Sequence, residues 1–467
     1  MDPICAISTA QGGAIGVIRI SGDCSIAICD HIFNPANGSK SLSESLFRTA
    51  RYGTIIDPDE NGSIIDEVIV ICYKSPHSYT GEESVEIMCH GSSYILQKTM
   101  SLLLSHGCRL ARPGEYTQRA FLNGKMDLSQ AEAVADLISS RNAATHRLAM
   151  NQMRGGFSKE LRILRDKLVH LTSLMELELD FGEEDVEFAD RSEMMQLFKS
   201  IDSTLSHLLN SFKIGNALKN GIPVAIIGET NVGKSTLLNQ LVHDERAIVS
   251  DIHGTTRDSI EDSITIDGIL FRFIDTAGIR NTDDTIEHIG IERTFKKIDE
   301  AQIVLWLIDA TDIAHSFAKT YKYIMPHIND KSLIVIVNKC DLVEETDLYT
   351  AFNELYDHSG INPDETIFIS AKNGTNINAL ESKLLDYTLQ DRYGESDVIV
   401  TNLRHVEALR HALSSLQRAK ESMDSGIPTD LVSEDLRLCI NSLGEIVGEV
   451  TNDEVLGNIF SHFCIGK

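Results

Sequence analysis

Apolar residues follow three successive rhythms along this 467-residue chain. Up to about residue 120 they alternate with period two, or form short β-rich runs bounded by glycine and turn residues at 14–22, 67–73 and 84–90. That is the spacing of strands with one buried face. Residues 93–105 have helical spacing, so this stretch predicts a mixed α/β domain. From Asp127 the interval lengthens: Leu128, Ala131, Ala135, Leu137 and Ile138, then Leu148, Met153, Leu161, Leu164, Leu168, Leu171, Leu174 and Leu177 recur at helical steps. A further helix over about 192–219 runs into the breaker Asn220-Gly221-Ile222-Pro223.

Between 222 and about 386 strand-like and helix-like segments alternate. Strand candidates at 223–227, 270–274, 303–308, 333–337 and 366–369 each end where a polar motif begins. This pattern predicts a mainly parallel, doubly wound sheet with ligand sites at the strand C-termini. After a polar linker near 390–395 helical spacing returns over 401–425 and 431–450. The expected architecture is α/β plus all-α, with a mixed α/β domain at 1–120 and a helical domain at 121–220 and 387–467. A doubly wound domain at 221–386 is inserted in the helical one.

Charge and composition narrow the partners. A formal net charge of −27 argues against broad adhesion to nucleic acid or anionic lipid, so an RNA partner requires a local basic patch. Arg141, Arg147, Arg154, Lys159, Arg162, Arg165 and Lys167 supply such a bias in the first helical block, and 176–187 is strongly acidic. Both read as solvated helix faces, with an RNA-facing basic helix as the alternative. The nine cysteines form no C-x-x-C pair, which suits reduced thiols. With no apolar run of about 18 residues and no basic-then-apolar start, no membrane partner is expected and the location predicted is cytoplasmic. Arg19 and Glu86 are charges within apolar strands: either solvent-facing positions or members of a ligand pocket.

The chemistry centres on Gly228-Glu229-Thr230-Asn231-Val232-Gly233-Lys234-Ser235, between a strand and the helix-patterned run from Thr236. The spacing G-x-x-x-x-G-K-S is that of a phosphate-binding P-loop: backbone N–H groups curl round phosphates, Lys234 adds a point charge and the Ser235 hydroxyl can ligate Mg²⁺. Gly254-Thr255-Thr256-Arg257-Asp258 offers a second hydroxyl to the metal, from Thr256. In Asp275-Thr276-Ala277-Gly278, Asp275 can hold Mg²⁺ through water while the Gly278 N–H meets the γ-phosphate. Asn338-Lys339-Cys340-Asp341 selects guanine, since Asp341 can accept from N1–H and the 2-amino group, whereas adenine leaves it unpaired. Ser370-Ala371-Lys372 completes the base pocket. Together these motifs predict a GTPase.

Its hydrolytic machinery departs from the Ras-like pattern. Ile279 stands where a water-orienting glutamine follows D-x-x-G, so another group must act, and Glu287 is the carboxylate candidate. Asn231, with carbonyls of 250–255, could enclose a monovalent cation beside the phosphates and offset charge on the β–γ bridge.

These residues resemble the TrmE/MnmE tRNA-modification GTPases over the whole length. The resemblance is carried by residues 13–22, 79–87 and 112–125, by the nucleotide motifs, and by the terminal Phe463-Cys464-Ile465-Gly466-Lys467. It implies an N-terminal domain that binds a tetrahydrofolate derivative (5-formyl- or methylene-tetrahydrofolate) and dimerises, with Arg19, Glu86, Lys125 and Lys467 on the matching positions. It further implies K⁺ ligands at Asn231, Ser250, Ile252 and Thr255, Mg²⁺ ligands at Ser235 and Thr256, and a catalytic role for Glu287. The family works as a homodimer that forms a heterotetramer with an FAD-dependent partner, MnmG (GidA). Together they add a carboxymethylaminomethyl or aminomethyl group at C5 of the wobble uridine in certain tRNAs. Glu229-Thr230 departs from the Arg-Pro usual in relatives. The alternative, an Era-like regulatory switch in ribosome assembly, has no use for the folate positions or for Cys464.

Overall fold

The computed structural model describes residues 1–10, 12–36, 41–44, 46–140, 142–181, 191–244, 262–274, 298–328, 331–344, 346, 348, 363–389, 398–425, 427, 429–450, 453–461, 463–464 and 466. The chain forms two compact units. The first comprises Met1–Ser139, Ala149–Leu205 and Glu407–Lys467, the second Ser140–Leu148 and Ser206–Val406.

The first unit starts with a seven-stranded sheet built from β1 (Ile4–Ile7), β2 (Ile15–Ser21), β3 (Phe33–Pro35), β4 (Ala50–Asp57), β5 (Ser63–Tyr73), β6 (Ser84–His90) and β7 (Arg109–Leu110). Their order is β3-β4-β5-β6-β2-β1-β7, antiparallel throughout except for the β1/β7 pair. Alternate residues such as Val68 and Val70, or Val85 and Ile87, point to one buried face. Against it pack α1 (Ser25–Ile32) and α2 (Ser93–Ser105) through Ile26, Cys29, Leu96 and Leu103. The period-two register fixes which residues share the opposite face, and it sets Arg19 directly across from Glu86.

Helices complete this unit: α3 (Glu115–Leu122), α4 (Leu128–Ser139), the C-terminal half of α5 (Ala143–Met153), α6 (Gly156–Phe181) and the first half of α7 (Arg191–Asn220). Leu161, Leu164, Leu168, Leu171 and Met175 form a buried stripe at steps of three and four on α6. The C-terminal part of the chain returns to this unit. Phe460 and Phe463 pack on Leu128 and Ala131, and Ser8 Oγ donates to Gly466 O at 3.2 Å.

The second unit holds β8 (Ile222–Gly228), α8 (Lys234–Asp244), β9 (Asp262–Ile266), β10 (Ile269–Phe273), β11 (Ile303–Asp309), α9 (Ile313–Ile324), β12 (Ser332–Asn338), β13 (Thr366–Phe368) and α10 (Ile377–Leu389). The sheet order is β13-β12-β11-β8-β10-β9, parallel except for the edge strand β9. Central strands are buried on both faces. In β11, Ile303, Leu305 and Leu307 join the core under α8 and α10, while Val304, Trp306 and Ile308 join the core under α9. Each such side chain contributes roughly 1.5–3 kcal/mol by leaving water. Parallel strands therefore read as continuous apolar runs, and the doubly wound expectation is met. Where the chain leaves this unit, Val400 N donates to Ser211 Oγ at 3.0 Å, clasping the returning segment to α7.

Helices α11 (Leu403–Asp424), α12 (Thr429–Val447) and α13 (Asp453–Ser461) finish the chain, with α12 running beside α6. The sequence reading does not predict β1, β3, β4, β7, β9 or α1. Most of these are short or lie at sheet edges, and β4 carries Arg51, Tyr52 and Gly53 in place of an apolar run.

Candidate functional site

The strand ends of the second unit converge on one edge. Register pairs Leu307 with Gly228 and Asp309 with Asn338, so the loops that follow β8, β11 and β12 lie side by side. Two P-loop glycines are required by geometry. Gly228 has φ +150° and Gly233 φ +98°, and a Cβ at Gly233 would run into the Asn338 amide nitrogen. Asn231, exposed, takes the left-handed conformation with φ 65°. The first turn of α8 follows at once, so its unpaired N–H groups and positive dipole end face the loop. Lys234 Nζ donates to Gly228 O at 2.6 Å and to Glu229 O at 2.7 Å, folding back over the cradle. Val232 is buried, whereas Ser235 and Thr236 are exposed.

Asn338, only 3% exposed, is the brace of this site. Its Nδ2 donates to Val232 O at 2.7 Å, and Ala371 N donates to its Oδ1 at 2.9 Å. Both bonds are made by a buried side chain, so losing either leaves an orphaned polar group. Ser370 Oγ donates to Asp341 Oδ1 at 2.6 Å and holds that exposed carboxylate in place. Lys339, at φ 68°, pairs with Asp309 Oδ2 at 2.6 Å. Burial pushes the Asp309 carboxyl up, but the Lys339 ammonium and the bonds from Thr311 outweigh it and hold the group below its ordinary value. Lys372 is exposed beside them. The P-loop, the 338–341 turn and the 370–372 loop are thus one hydrogen-bonded assembly. Ser250, Ile252, Thr255, Thr256, Asp275, Thr276, Ala277, Gly278, Ile279 and Glu287 lie outside the described residues.

The first unit holds a second cluster. Arg19 Nε and Nη2 donate to Glu86 Oε1 at 3.0 and 2.8 Å. The guanidinium also lies over the rings of Tyr79 and Tyr116, 5.6 and 5.8 Å from their centroids. Tyr116 OH donates to Arg19 O at 2.7 Å, Tyr79 OH bonds Thr117 Oγ1 at 2.9 Å, and Tyr73 OH reaches Glu86 Oε2 at 3.4 Å. Burial pushes the hydroxyls of Tyr73, Tyr79 and Tyr116 up, so all three stay neutral. The cluster is therefore a partly buried, hydrogen-bonded ion pair flanked by aromatic rings, with about a fifth of each charged side chain still open to solvent. Lys125 stands on the far side of the 79–81 loop: its stem packs on Gly81 and its Nζ donates to Pro76 O at 3.0 Å. Lys467 lies outside the described residues.

The three tyrosines are absent from the sequence expectation. Tyr79 and Tyr116 fall within the stretches 79–87 and 112–125, and the structure shows why those stretches go together. Buried Arg119 donates to Glu82, Glu115 and Asp2, and Asn123 Nδ2 donates to Thr80 O at 2.8 Å. An ion network thus locks the tyrosine loop to α3.

Residues 128–464 match the family described as the MnmE helical domain, and residues 3–125 match that described as the GTP-binding protein TrmE N-terminus. The tRNA modification GTPase MnmE of Bacteroides fragilis (strain YCH46) is 58% identical over 466 residues, covering 100% of this chain and 99% of that protein. That of Bacteroides thetaiotaomicron is also 58% identical, over 472 residues, with the same coverage. Among solved structures, Aquifex aeolicus Era bound to GDP·AlF4⁻ is 30% identical over 41% of this chain and 66% of its own, with a TM-score of 0.29.

Proposed function

This chain belongs to the MnmE family of tRNA modification GTPases, and on that premise we propose that it hydrolyses GTP within a complex that modifies C5 of the wobble uridine of tRNA. The observation that carries the guanine-nucleotide assignment is the Asn338 brace, which presents Asp341 and the P-loop to one ligand. A carboxylate fixed by Ser370 can accept two N–H groups from guanine, and a glycine cradle at a helix N-terminus suits the phosphates.

In that reading Lys234 and the Gly278 N–H stabilise charge on the transferred phosphoryl group, and Glu287 orients the attacking water, a task Ile279 cannot perform. Ser235 and Thr256 would hold Mg²⁺, which neutralises phosphate charge. Asn231, Ser250, Ile252 and Thr255 would hold K⁺, whose charge stands in for an arginine finger. The left-handed turn at Asn231 supports this by bending the loop tightly there.

The tyrosine-walled Arg19–Glu86 cluster suits a tetrahydrofolate derivative. Glu86 offers carboxylate oxygens to paired N–H groups, and the tyrosines offer aromatic faces to a flat heterocycle. With Lys125 and Lys467, these residues would bind and orient the folate, which supplies the one-carbon unit. The chain acts as a homodimer in the cytoplasm, in a heterotetramer with MnmG. No helix among the described residues is long and apolar enough to cross a membrane.

Nucleoside analysis of tRNA from cells lacking the protein tests the reading. Loss of the C5-modified wobble uridine is expected, and an unaltered profile would sink it. GTP turnover is expected to rise in KCl over NaCl and to lose that difference in Asn231→Ala.

A further inference from the structure

We propose that a cleft in the first unit, between the α3–α4 turn, the first turns of α6 and the end of α12, holds a backbone phosphate of the RNA substrate, with Arg162 as its principal charge. The proposal rests on the tRNA reading above and deepens it.

The cleft has a volume of about 370 Å³, and its charged and polar walls come from Lys125, Asp127, Gln130, Arg162, Arg165 and Glu449. Three cations face two carboxylates, and both carboxylates are committed within the protein. Asp127 Oδ1 accepts from Ser129 Oγ at 3.0 Å and from Gln130 N at 2.9 Å, capping α4. Glu449 Oε1 accepts from Arg165 Nη1 at 3.0 Å, between side chains 48% and 42% exposed, so that pair is worth little and is easily exchanged.

The cations are less well matched. Lys125 Nζ is taken up by Pro76 O at 3.0 Å, so the charge on offer in the cleft is that of its arginines. Arg165 Nε is buried and has no hydrogen-bond partner among the described residues. Arg162 is exposed at the cleft and makes no ion pair with a described residue, and exposed Lys159 lies one turn before it on α6. In a chain of net charge −27, a wall that keeps surplus positive charge and an unused guanidinium N–H stands out. A phosphate accepts from guanidinium groups in forked geometry, so two arginines at one cleft match a phosphodiester. The basic bias of the first helical block thus acquires a place: at this cleft it is a docking surface, not only a solvated face.

Binding of an unmodified tRNA transcript with uridine at the wobble position to the full-length protein, measured across a salt series, tests this. Each lost phosphate contact flattens the log–log salt slope by about 0.9, so the affinity lost between about 50 and 200 mM salt becomes about 3.5-fold smaller. Arg162→Ala is expected to bind more weakly with a slope shallower by about 0.9, Arg162→Lys to keep the slope, and Arg418→Ala, whose partner is Asp435, to behave as wild type. Basal GTP turnover is expected to stay unchanged in all three. A wild-type slope in Arg162→Ala would overturn the cleft assignment while leaving the tRNA reading intact. No tRNA binding by the wild-type chain at any salt would overturn both.

Discussion

Asn338 reaches from the end of β12 into the P-loop, where its Nδ2 donates to Val232 O at 2.7 Å across 106 positions of sequence. The same side chain accepts from Ala371 N, so one buried amide sets the spacing between phosphate cradle and base pocket. Asn338→Ala orphans two backbone groups at roughly 1–3 kcal/mol each. We expect guanine-nucleotide affinity to fall by about 10-fold or more, which is 1.4 kcal/mol or above, in a titration with fluorescent GDP. Unchanged affinity would show that the brace does not organise the site.

Specificity rests one turn further on. Ser370 Oγ fixes Asp341 Oδ1 at 2.6 Å and leaves the rest of the carboxylate to accept from a base. Asp341→Asn replaces an acceptor by a donor, which opposes the 2-amino group of guanine but suits a 2-carbonyl. GTP turnover should drop and turnover of xanthosine triphosphate should rise. A variant that still prefers GTP would remove Asp341 from base selection.

Glu229 puts a carboxylate into a loop built for phosphates, yet its Oε2 accepts from Ser316 Oγ on α9 at 3.3 Å. Ser316 is buried and gives that carboxylate a hydrogen-bond partner on α9. Ser316→Ala removes this hydrogen bond from the carboxylate, and affinity for GTP should suffer more than affinity for GDP because the triphosphate carries more charge. Adding Glu229→Gln should restore it. Trp306, whose Nε1 donates to Thr320 Oγ1 one turn along α9, offers an emission signal for the same event. Equal losses for both nucleotides would mark a packing defect instead.

Much of this was legible in the sequence because it is local. The P-loop, the 338–341 turn and the 370–372 loop each follow a strand whose residues are apolar on both faces, and β8, β11, β12 and β13 stand within a residue or two of expectation. The edge strand β9, Asp-Ser-Ile-Thr-Ile, escaped because half its positions face away from the core and read as polar. What distance along the chain hides is different in kind. No spacing rule joins Asn338 to Val232, or Arg19 to the rings of Tyr79 and Tyr116, since those contacts arise only when separate elements pack. Arg119 and Glu115 fall within the stretch 112–125, but their buried ion network is a structural lock that no local spacing reveals.

That network predicts an acid sensitivity. Burial pushes the Glu115 carboxyl up, but Arg109, the Arg112 N–H and Arg119 outweigh it and hold it at about 2, against an ordinary value of 4.5. A depressed folded-state value means the ionised form stabilises the fold, fully above about pH 4.5, and that this contribution fades as pH falls towards 2. Glu115→Gln removes one of three acidic partners of buried Arg119, leaving Glu82 and Asp2, and should cost roughly 3 kcal/mol at pH 7. Urea denaturation should show the gap between wild type and variant narrowing below pH 4.5. A gap independent of pH would mean that the charge of Glu115 plays no part.

Gly114 tests whether the C-terminal tail is held by shape. It has φ +65°, and a Cβ there would lie 2.8 Å from Phe460 O and 2.9 Å from Phe463 Cβ, while its own N–H donates to Cys464 O at 3.4 Å. Gly114→Ala therefore combines backbone strain of about 1–2 kcal/mol with a collision at the segment that carries Cys464. Gly107 supplies the control, because at φ +104° a Cβ meets nothing within 4 Å, so Gly107→Ala adds strain without collision. Hydrogen exchange of the α13 amides should accelerate in Gly114→Ala and not in Gly107→Ala. Nucleotide affinity should be unchanged in both, since every described residue of the nucleotide site belongs to the other unit. Wobble-uridine modification should fail in Gly114→Ala alone if the docked tail is needed for the chemistry on RNA. Equal exchange rates in the two variants would show that strain, not the fit of Phe460 and Phe463 over Gly114, governs the tail.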